Sequence, residues 1–449
     1  MKIQQLNNKK IALLGLGVEN LALLKYLLKH KVSCQVTICD QRSENELKNK
    51  LGNRGGSKKI TYRAEANFNR NLEDFDVVFR SPGWPIACPG IQSAIQKKKI
   101  ESHRFKIDAW LYSPMKLFFD LCPAKNLIGI TGTKGKGTTA SLICAILKNN
   151  KRKVWLAGNI GIAPFEFIDQ IKKTDYVVLE LSSFQLEDLH KSPRLAVITN
   201  FSKEHLVPAD PNNPNYHQTM KVYWESKANI FKHQSAKDVL IVNQNFKTSF
   251  KNIFSTVKSQ VVYFGKSELK SNLIGEHNKE NIAAALEVAK RLRVKDLVIR
   301  NTLAKFQGLE HRIEFVSEKD GIKYYNDSFA TIPDSAITAI RSFDAPIVLL
   351  AGGADKGSDF SRLGKLIKQK IKFLILFKGV GSDKLKKEVL RFGYSEKNIA
   401  LVDKMDDAFD WVKKNAVAGD VVLLSPGCAS FGIFKNYKER GKLFKECCR

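Results

Sequence analysis

Between Asn126 and Leu147 the chain runs an apolar stretch, a glycine-rich turn holding lysines, and a segment whose apolar residues recur at helical spacing. Asn126-Leu-Ile-Gly-Ile130 reads as a buried strand and Thr138-Thr-Ala-Ser-Leu-Ile-Cys-Ala-Ile-Leu147 as a helix. A strand that feeds through a short turn into a helix commits the segment to an α/β unit with a parallel sheet. Backbone N–H groups of such a turn, together with the positive end of the helix, favour bound anions. The turn is therefore read as a loop for the phosphates of a nucleoside triphosphate. Gly132, Thr133, Lys134, Gly135, Lys136, Gly137 and Thr138 are its candidate contacts, with Lys136 reaching the β- and γ-phosphates. Against the pattern G-x-x-x-x-G-K-[ST], Ile130 stands at the first glycine and Gly137 at the hydroxyl residue that binds Mg²⁺. Thr138 is the nearest hydroxyl able to take that role.

The flanking thirds repeat the βα alternation. Strands are expected at Lys10–Gly15, Gln35–Cys39 and Asp76–Phe79, with a helix over Glu19–His30. Gly15-Leu-Gly-Val-Glu-Asn20 lacks the third glycine of the dinucleotide fingerprint, so a nucleotide sugar fits this turn without any nicotinamide. Further strands are expected at Tyr176–Leu181, Leu195–Thr199, Val239–Val242, Ile347–Leu350, Phe373–Phe377, Ile399–Val402 and Val421–Leu424. The regular alternation predicts parallel sheets throughout, and 449 residues suggest about three domains.

Composition narrows the class. A hydrophobic share of 43% and a charged share of 27% are ordinary for a soluble globular enzyme. The 8 cysteines form no zinc spacing and several fall in expected strands or helices, which points to free thiols in a reducing compartment. No signal-peptide pattern opens the chain and no apolar run is long enough for a membrane span, so the expected location is cytoplasmic, with no membrane partner. The net charge of +29 is spread over lysines in all three thirds, without a nucleic-acid-binding signature. We read it as solvated lysine faces that also steer anionic substrates, not as a nucleic-acid surface.

Three titratable residues follow apolar strands or sit in apolar stripes. Glu180 ends Val177-Val-Leu-Glu180, where a carboxylate is costly to bury unless it meets a cation; beside a nucleotide loop that cation is Mg²⁺, and the competing reading is a capping or salt-bridged Glu. His205 follows the strand at Leu195–Thr199 and so belongs to the same sheet edge, where α/β ligand sites form. Lys227 lies in an apolar helical stripe, Tyr223-Trp-Glu-Ser-Lys-Ala-Asn-Ile-Phe231, either snorkelling to solvent or serving the site.

With Leu179-Glu-Leu-Ser-Ser-Phe-Gln-Leu-Glu187 the chain resembles the Mur ligases, and among them the D-glutamate-adding branch. Gly158-Asn-Ile-Gly161, Gly275-Glu-His-Asn-Lys-Glu-Asn281, Gly308-Leu-Glu-His-Arg312, Asn326-Asp-Ser328 with Ala330-Thr331, and Leu424-Ser-Pro-Gly-Cys-Ala-Ser430 follow in that family's order. The resemblance implies a Rossmann-like uridine-nucleotide domain over residues 1–110, a central P-loop-type ATPase domain with a mostly parallel sheet over 111–309, and a Rossmann-like C-terminal domain over 310–449. It implies a monomer that uses ATP and two Mg²⁺ ions to join D-glutamate to UDP-N-acetylmuramoyl-L-alanine through an acyl phosphate, in peptidoglycan precursor synthesis. The alternatives are another Mur-type ligase, a folylpolyglutamate synthetase-like ligase and a nucleotide-binding protein with a decayed site. The folylpolyglutamate type shares the ATPase core, but the separate N-terminal βα domain and the signature from Glu180 to Glu187 weigh against it. Gly137 and Phe329 keep the decayed site open.

By the same resemblance Lys136, Glu180, His205 and Lys227 are catalytic, and Thr138, Glu180, His205 and a carbamylated Lys227 are the metal ligands. Asn281, Arg312 and Asp327 join the loop in holding ATP. Leu16, Gly17, Asp40, Arg42 and Ser81 frame the uridine diphosphate. Asn159 with Ser182 or Ser183 meets the muramoyl-alanine, and Thr331, Lys356, Ser430 and Phe431 bind D-glutamate. Besides Gly137, two positions depart from the family's pattern. Phe329 stands where these ligases place a lysine, and Asn20 where they place a small residue.

Overall fold

The computed structural model describes residues 1–52, 60–102, 104–204, 206, 216–355 and 357–448. Expected and observed elements agree in type, their ends differing by a residue or two. The first sheet holds β1 (Lys10–Leu14), β2 (Gln35–Asp40), β3 (Ile60–Ala64), β4 (Val77–Arg80) and β5 (Leu111–Tyr112), in the order β3-β2-β1-β4-β5. The second holds β6 (Asn126–Thr131), β7 (Val154–Gly158), β8 (Tyr176–Glu180), β9 (Leu195–Ile198), β10 (Val239–Asn243) and β11 (Gln260–Phe264), in the order β11-β10-β9-β6-β8-β7. All pairings in these two sheets are parallel.

The third sheet corrects the expectation of parallel pairing throughout. It holds β12 (Glu314–Lys319), β13 (Ile322–Asn326), β14 (Ile347–Gly352), β15 (Ile371–Phe377), β16 (Ile399–Val402) and β17 (Val421–Leu424), in the order β12-β13-β17-β14-β15-β16. Its edge pair, β12 with β13, is antiparallel. The cause is local: only Asp320 and Gly321 separate the strands, both at positive φ (52° and 73°), and a two-residue loop of this kind can only fold the chain back on itself.

The chain divides into two compact units, Met1–Ser267 with Glu280–Ile299, and Glu268–Lys279 with Arg300–Arg449. In the first unit one apolar cluster runs from Leu13 and Phe79 through Phe118 and Phe165 to Leu179 and Ile230, so the first two sheets share a core. In the second unit the sheet is covered on both faces, by Ile337, Leu363 and Leu385 on one side and Phe409, Val412 and Phe444 on the other. Among the described residues no helix is long and apolar enough to cross a membrane.

Candidate functional site

The second sheet reverses its strand order at β6, with β8 on one side and β9 on the other. In open parallel sheets ligands bind at the carboxyl ends of the strands flanking such a point. Ile130 of β6 pairs with Glu180 of β8 and with Val197 of β9, so the phosphate loop, Glu180 and the Thr199-Asn200 turn leave the sheet at one level.

The loop is closely held. The helix Lys136–Asn149 begins just behind Gly135, whose φ is +80° and whose added Cβ would meet Asn281 Oδ1 at 2.1 Å. Gly132, at φ +146°, would bring a Cβ to 2.0 Å from Thr199 Oγ1. Both sites therefore demand glycine. Asn200 braces the turn in both directions: its Oδ1 accepts from the Lys134 amide at 2.8 Å and its Nδ2 donates to the Lys134 carbonyl at 2.9 Å. Thr133, buried, places its Oγ1 3.2 Å from the Tyr223 hydroxyl. Lys136 folds over the turn, donating to the carbonyls of Gly132 and Thr133 at 3.0 and 2.9 Å. Gly137 is buried in the first helical turn. Of the hydroxyls that follow, Thr139 turns inward to Asn281 Oδ1 at 3.5 Å, whereas Thr138 is half-buried and makes no side-chain hydrogen bond among the described residues.

Glu180 is buried and accepts from Asn159 Nδ2 at 2.9 Å, while its carbonyl accepts the Asn159 amide at 2.8 Å. Glu180 caps no helix and carries no salt bridge among the described residues. Lys227, from the helix Met220–Lys232, is 2% exposed, which rules out the snorkelling alternative. Its Nζ donates to the Gly132 carbonyl at 2.8 Å and lies 4.7 Å from the Tyr223 ring centroid. Burial, and next the charge of Lys136, pull its pKa well below the ordinary lysine value, against the smaller pull of Glu204 and Glu180. His205 lies outside the described residues. Sequence reasoning missed His217, which is buried, stacked on Phe184 with centroids 4.5 Å apart, and has Nε2 2.9 Å from Ser183 Oγ. Its neighbours Tyr216, Gln218 and Thr219 form no motif that would single it out. Ser182 is taken up in capping the short helix Ser183–Leu186, accepting from the Gln185 amide at 3.2 Å.

Metal fit rests on the donors present. Mg²⁺ uses few carboxylates and completes its shell with water and phosphate. Glu180, a carboxylate at the mouth of the loop, and Thr138, an uncommitted hydroxyl on its helix, suit such an ion. Among the described residues no group of three or more His, Cys, Asp or Glu could hold a metal alone.

In the first sheet, the turn after β1 is tied to the end of β2. Asp40 Oδ2 accepts the Leu16 amide at 2.6 Å, and Arg42 bonds both Asp40 oxygens and the Leu16 carbonyl. Burial opposes ionisation of Asp40, but the Arg42 hydrogen bonds outweigh it and hold the carboxyl below its usual range. Gly17 caps the helix Val18–Lys29, and Ser81, buried, follows β4. Asn20 explains its own departure from the family pattern: fully buried, its Nδ2 donates to the carbonyls of Leu14, Gly15 and Phe79 at 3.2, 2.8 and 3.1 Å, lacing β1 to β4.

A buried ionic cluster connects this region to the segment after β8, and no motif announced it. Arg80, 0% exposed, donates to Asp188 Oδ1 and the Phe184 carbonyl at 2.8 Å each, and lies 3.3 Å from Glu187 Oε2. Gln185 Nε2 donates to Glu19, whose pKa burial raises to about 7. The segment 184–188 is thus fixed to the Arg80-Ser81 strand end.

In the second unit, Asp327 follows β13 and is buried; its oxygens accept from Ser425 Oγ at 2.7 Å and the Ile313 amide at 3.2 Å, and burial pushes its pKa to about 7. Arg312 lies with its guanidinium 4.1 Å from the Phe329 ring centroid. Thr331 donates its amide to the Phe329 carbonyl at 2.8 Å. Ser430 is buried and Phe431 exposed, both beyond β17, and Lys356 lies outside the described residues. Arg440, also unforeseen, is buried and donates to Ser328 Oγ and O at 3.0 and 2.9 Å.

Comparison with known proteins gives the family. Residues 9–101 match the Mur ligase MurD-like N-terminal domain, 130–270 the Mur ligase middle domain, and 311–428 the Mur ligase glutamate ligase domain. The chain is 37% identical over 470 residues to the UDP-N-acetylmuramoylalanine–D-glutamate ligase of Clostridium tetani, covering 98% of this chain and 97% of that one. Its fold matches UDP-N-acetylmuramate–alanine ligase from Thermotoga maritima at a TM-score of 0.55 and 16% identity, over 98% of this chain and 99% of that one. It likewise matches the MurF ligase of Thermotoga maritima, solved in complex with ADP, at a TM-score of 0.54 and 16% identity, over 99% and 96% of the two chains. The chain belongs to the Mur ligase family.

Proposed function

We propose that the chain is an ADP-forming ligase that joins D-glutamate to the carboxylate of UDP-N-acetylmuramoyl-L-alanine in the cytoplasmic synthesis of peptidoglycan precursors. The observation that carries this reading is the meeting, at one sheet end, of a glycine-rich phosphate loop, a buried carboxylate and a buried lysine. The similarity to D-glutamate ligases over nearly the whole chain supports the choice of amine.

A carboxylate is a poor electrophile until one of its oxygens becomes part of a phosphate leaving group. In the first step a carboxylate oxygen attacks the γ-phosphorus of ATP and ADP leaves. In the second, the D-glutamate amine attacks the acyl phosphate carbon, the amide forms, and phosphate departs with the former carboxylate oxygen. The protein's part is positioning and neutralisation of charge. Loop amides from Gly132 to Thr138 cradle the phosphates, and Lys136 exchanges its carbonyl partners for phosphoryl oxygens. Mg²⁺, two ions in our reading, supplies charge neutralisation at the transferring group. Glu180, Thr138, His205 and Lys227 are the residues assigned to hold it.

For Lys227 the lowered pKa matters, because a neutral amine can add to CO₂, releasing one proton and giving a carbamate. That turns a buried amine into an anionic metal ligand. Asn159 and Ser183 are assigned to the muramoyl-alanine, with Ser182 shaping the turn. Leu16, Gly17, Asp40, Arg42 and Ser81 are assigned to the uridine diphosphate. Asn281, Arg312 and Asp327 are assigned to ATP, and Thr331, Lys356, Ser430 and Phe431 to D-glutamate.

The amine is tested with a panel. ADP release is expected to require both UDP-N-acetylmuramoyl-L-alanine and an amino acid, with D-glutamate preferred. Equal turnover with L-lysine or meso-diaminopimelate would contradict the D-glutamate assignment.

A further inference from the structure

Phe329 is 40% exposed, and what singles it out is the company its ring keeps. It does not stand alone. The Arg312 guanidinium lies 4.1 Å from its centroid, and the Tyr437 ring meets it edge-on at 4.9 Å and 89°. Tyr437 is itself fixed: it opens the helix Tyr437–Cys447, its carbonyl accepts Ser328 Oγ at 2.8 Å, and its ring meets His311 edge-on at 5.8 Å. The backbone of Phe329 is anchored too, its amide donating to the His311 carbonyl at 3.0 Å, one residue before Arg312. Among the described residues Arg312 has no carboxylate partner within ion-pair distance.

We propose that Phe329 is a positioning residue for Arg312, an aromatic shelf that holds the guanidinium for a phosphate. A ring under the guanidinium face restrains its orientation yet leaves the N–H groups around its edge available for bidentate donation to phosphoryl oxygens. A carboxylate partner would fix the same group but occupy those donors. The inference rests on the assignment of Arg312 to ATP.

Steady-state ADP release by the full chain, at saturating acid and amine, tests the proposal with ATP varied. Phe329→Leu is expected to lower kcat/KM for ATP by about two- to fivefold, the worth of an exposed cation–π contact. Phe329→Trp should recover the parent value within about twofold, because indole is the better cation acceptor. Phe329→Lys should be worse than Phe329→Leu, although it restores the lysine of the family pattern. In an Arg312→Ala background Phe329→Leu should add nothing further. If Arg312→Ala lowers kcat/KM for ATP but Phe329→Leu does not, or if Phe329→Lys improves it, the shelf is refuted while the Arg312 assignment stands. An unchanged kcat/KM for Arg312→Ala would overturn that assignment and the shelf with it.

Discussion

Lys227→Ala is expected to cut ADP release by roughly a thousandfold, the scale seen when one charge-stabilising group is removed from a preorganised site. Small carboxylates such as formate or acetate should restore part of that activity. The reasoning starts from burial. A lysine that is 2% exposed, with its Nζ on the Gly132 carbonyl and its pKa pulled well down, contributes little as a permanent cation. On the carbamate reading proposed above, its value to the site lies in becoming an anion, which alanine cannot do and a diffusible carboxylate partly can. Loss of fold does not explain the expected effect, since alanine keeps the helix Met220–Lys232 and removes a group that is costly to bury. Urea unfolding of the variant should accordingly lie close to the parent's. Full activity of Lys227→Ala would show that the lysine only fills space.

Arg80→Ala is expected to be the most destabilising single change, by about 3–5 kcal/mol in urea unfolding, because it leaves buried carboxylates without their cation. Asp188 sits 2.8 Å from the guanidinium, Glu187 3.3 Å, and all three side chains are largely withdrawn from water. Burial already pushes the Glu187 carboxyl up, and Arg80 is the main influence lowering it again. Without Arg80 the Glu187 carboxyl rises further, and protonating it relieves part of the penalty. The loss should therefore be greatest above neutral pH and shrink as pH falls toward 5. A loss below about 1 kcal/mol at pH 8 would mean that water or rearrangement replaces the guanidinium at little cost.

How far the sequence reveals these features depends on the distance over which each is encoded. The strand, glycine-rich turn and helix around the stretch from Gly132 to Thr138, and the neighbouring strands, are local patterns, and the structure forms these elements as read. Glu180 was legible because an acid closing an apolar strand is conspicuous within five residues. The antiparallel pair β12–β13 was overlooked in favour of the prevailing βα rhythm, although Asp320-Gly321 is a strong local hairpin signal. Arg80 was out of reach for a different reason: its partner Asp188 is 108 residues away, and an arginine ending Val-Val-Phe-Arg is indistinguishable locally from a solvated one. For Lys227 the helical stripe left two outcomes open, and only tertiary packing decides between solvent and core. At Phe329 the sequence registers a missing cation, whereas the structure shows the ring set against the Arg312 guanidinium.

Phosphorylation of a carboxylate before amide formation is the central chemical claim, and isotope transfer tests it directly. UDP-N-acetylmuramoyl-L-alanine carrying ¹⁸O in its carboxylate would be turned over with ATP and D-glutamate in unlabelled water, and the released phosphate analysed by mass spectrometry. The account predicts one carboxylate oxygen in each phosphate and the other in the amide. Phosphate free of label, with product still forming, would contradict it.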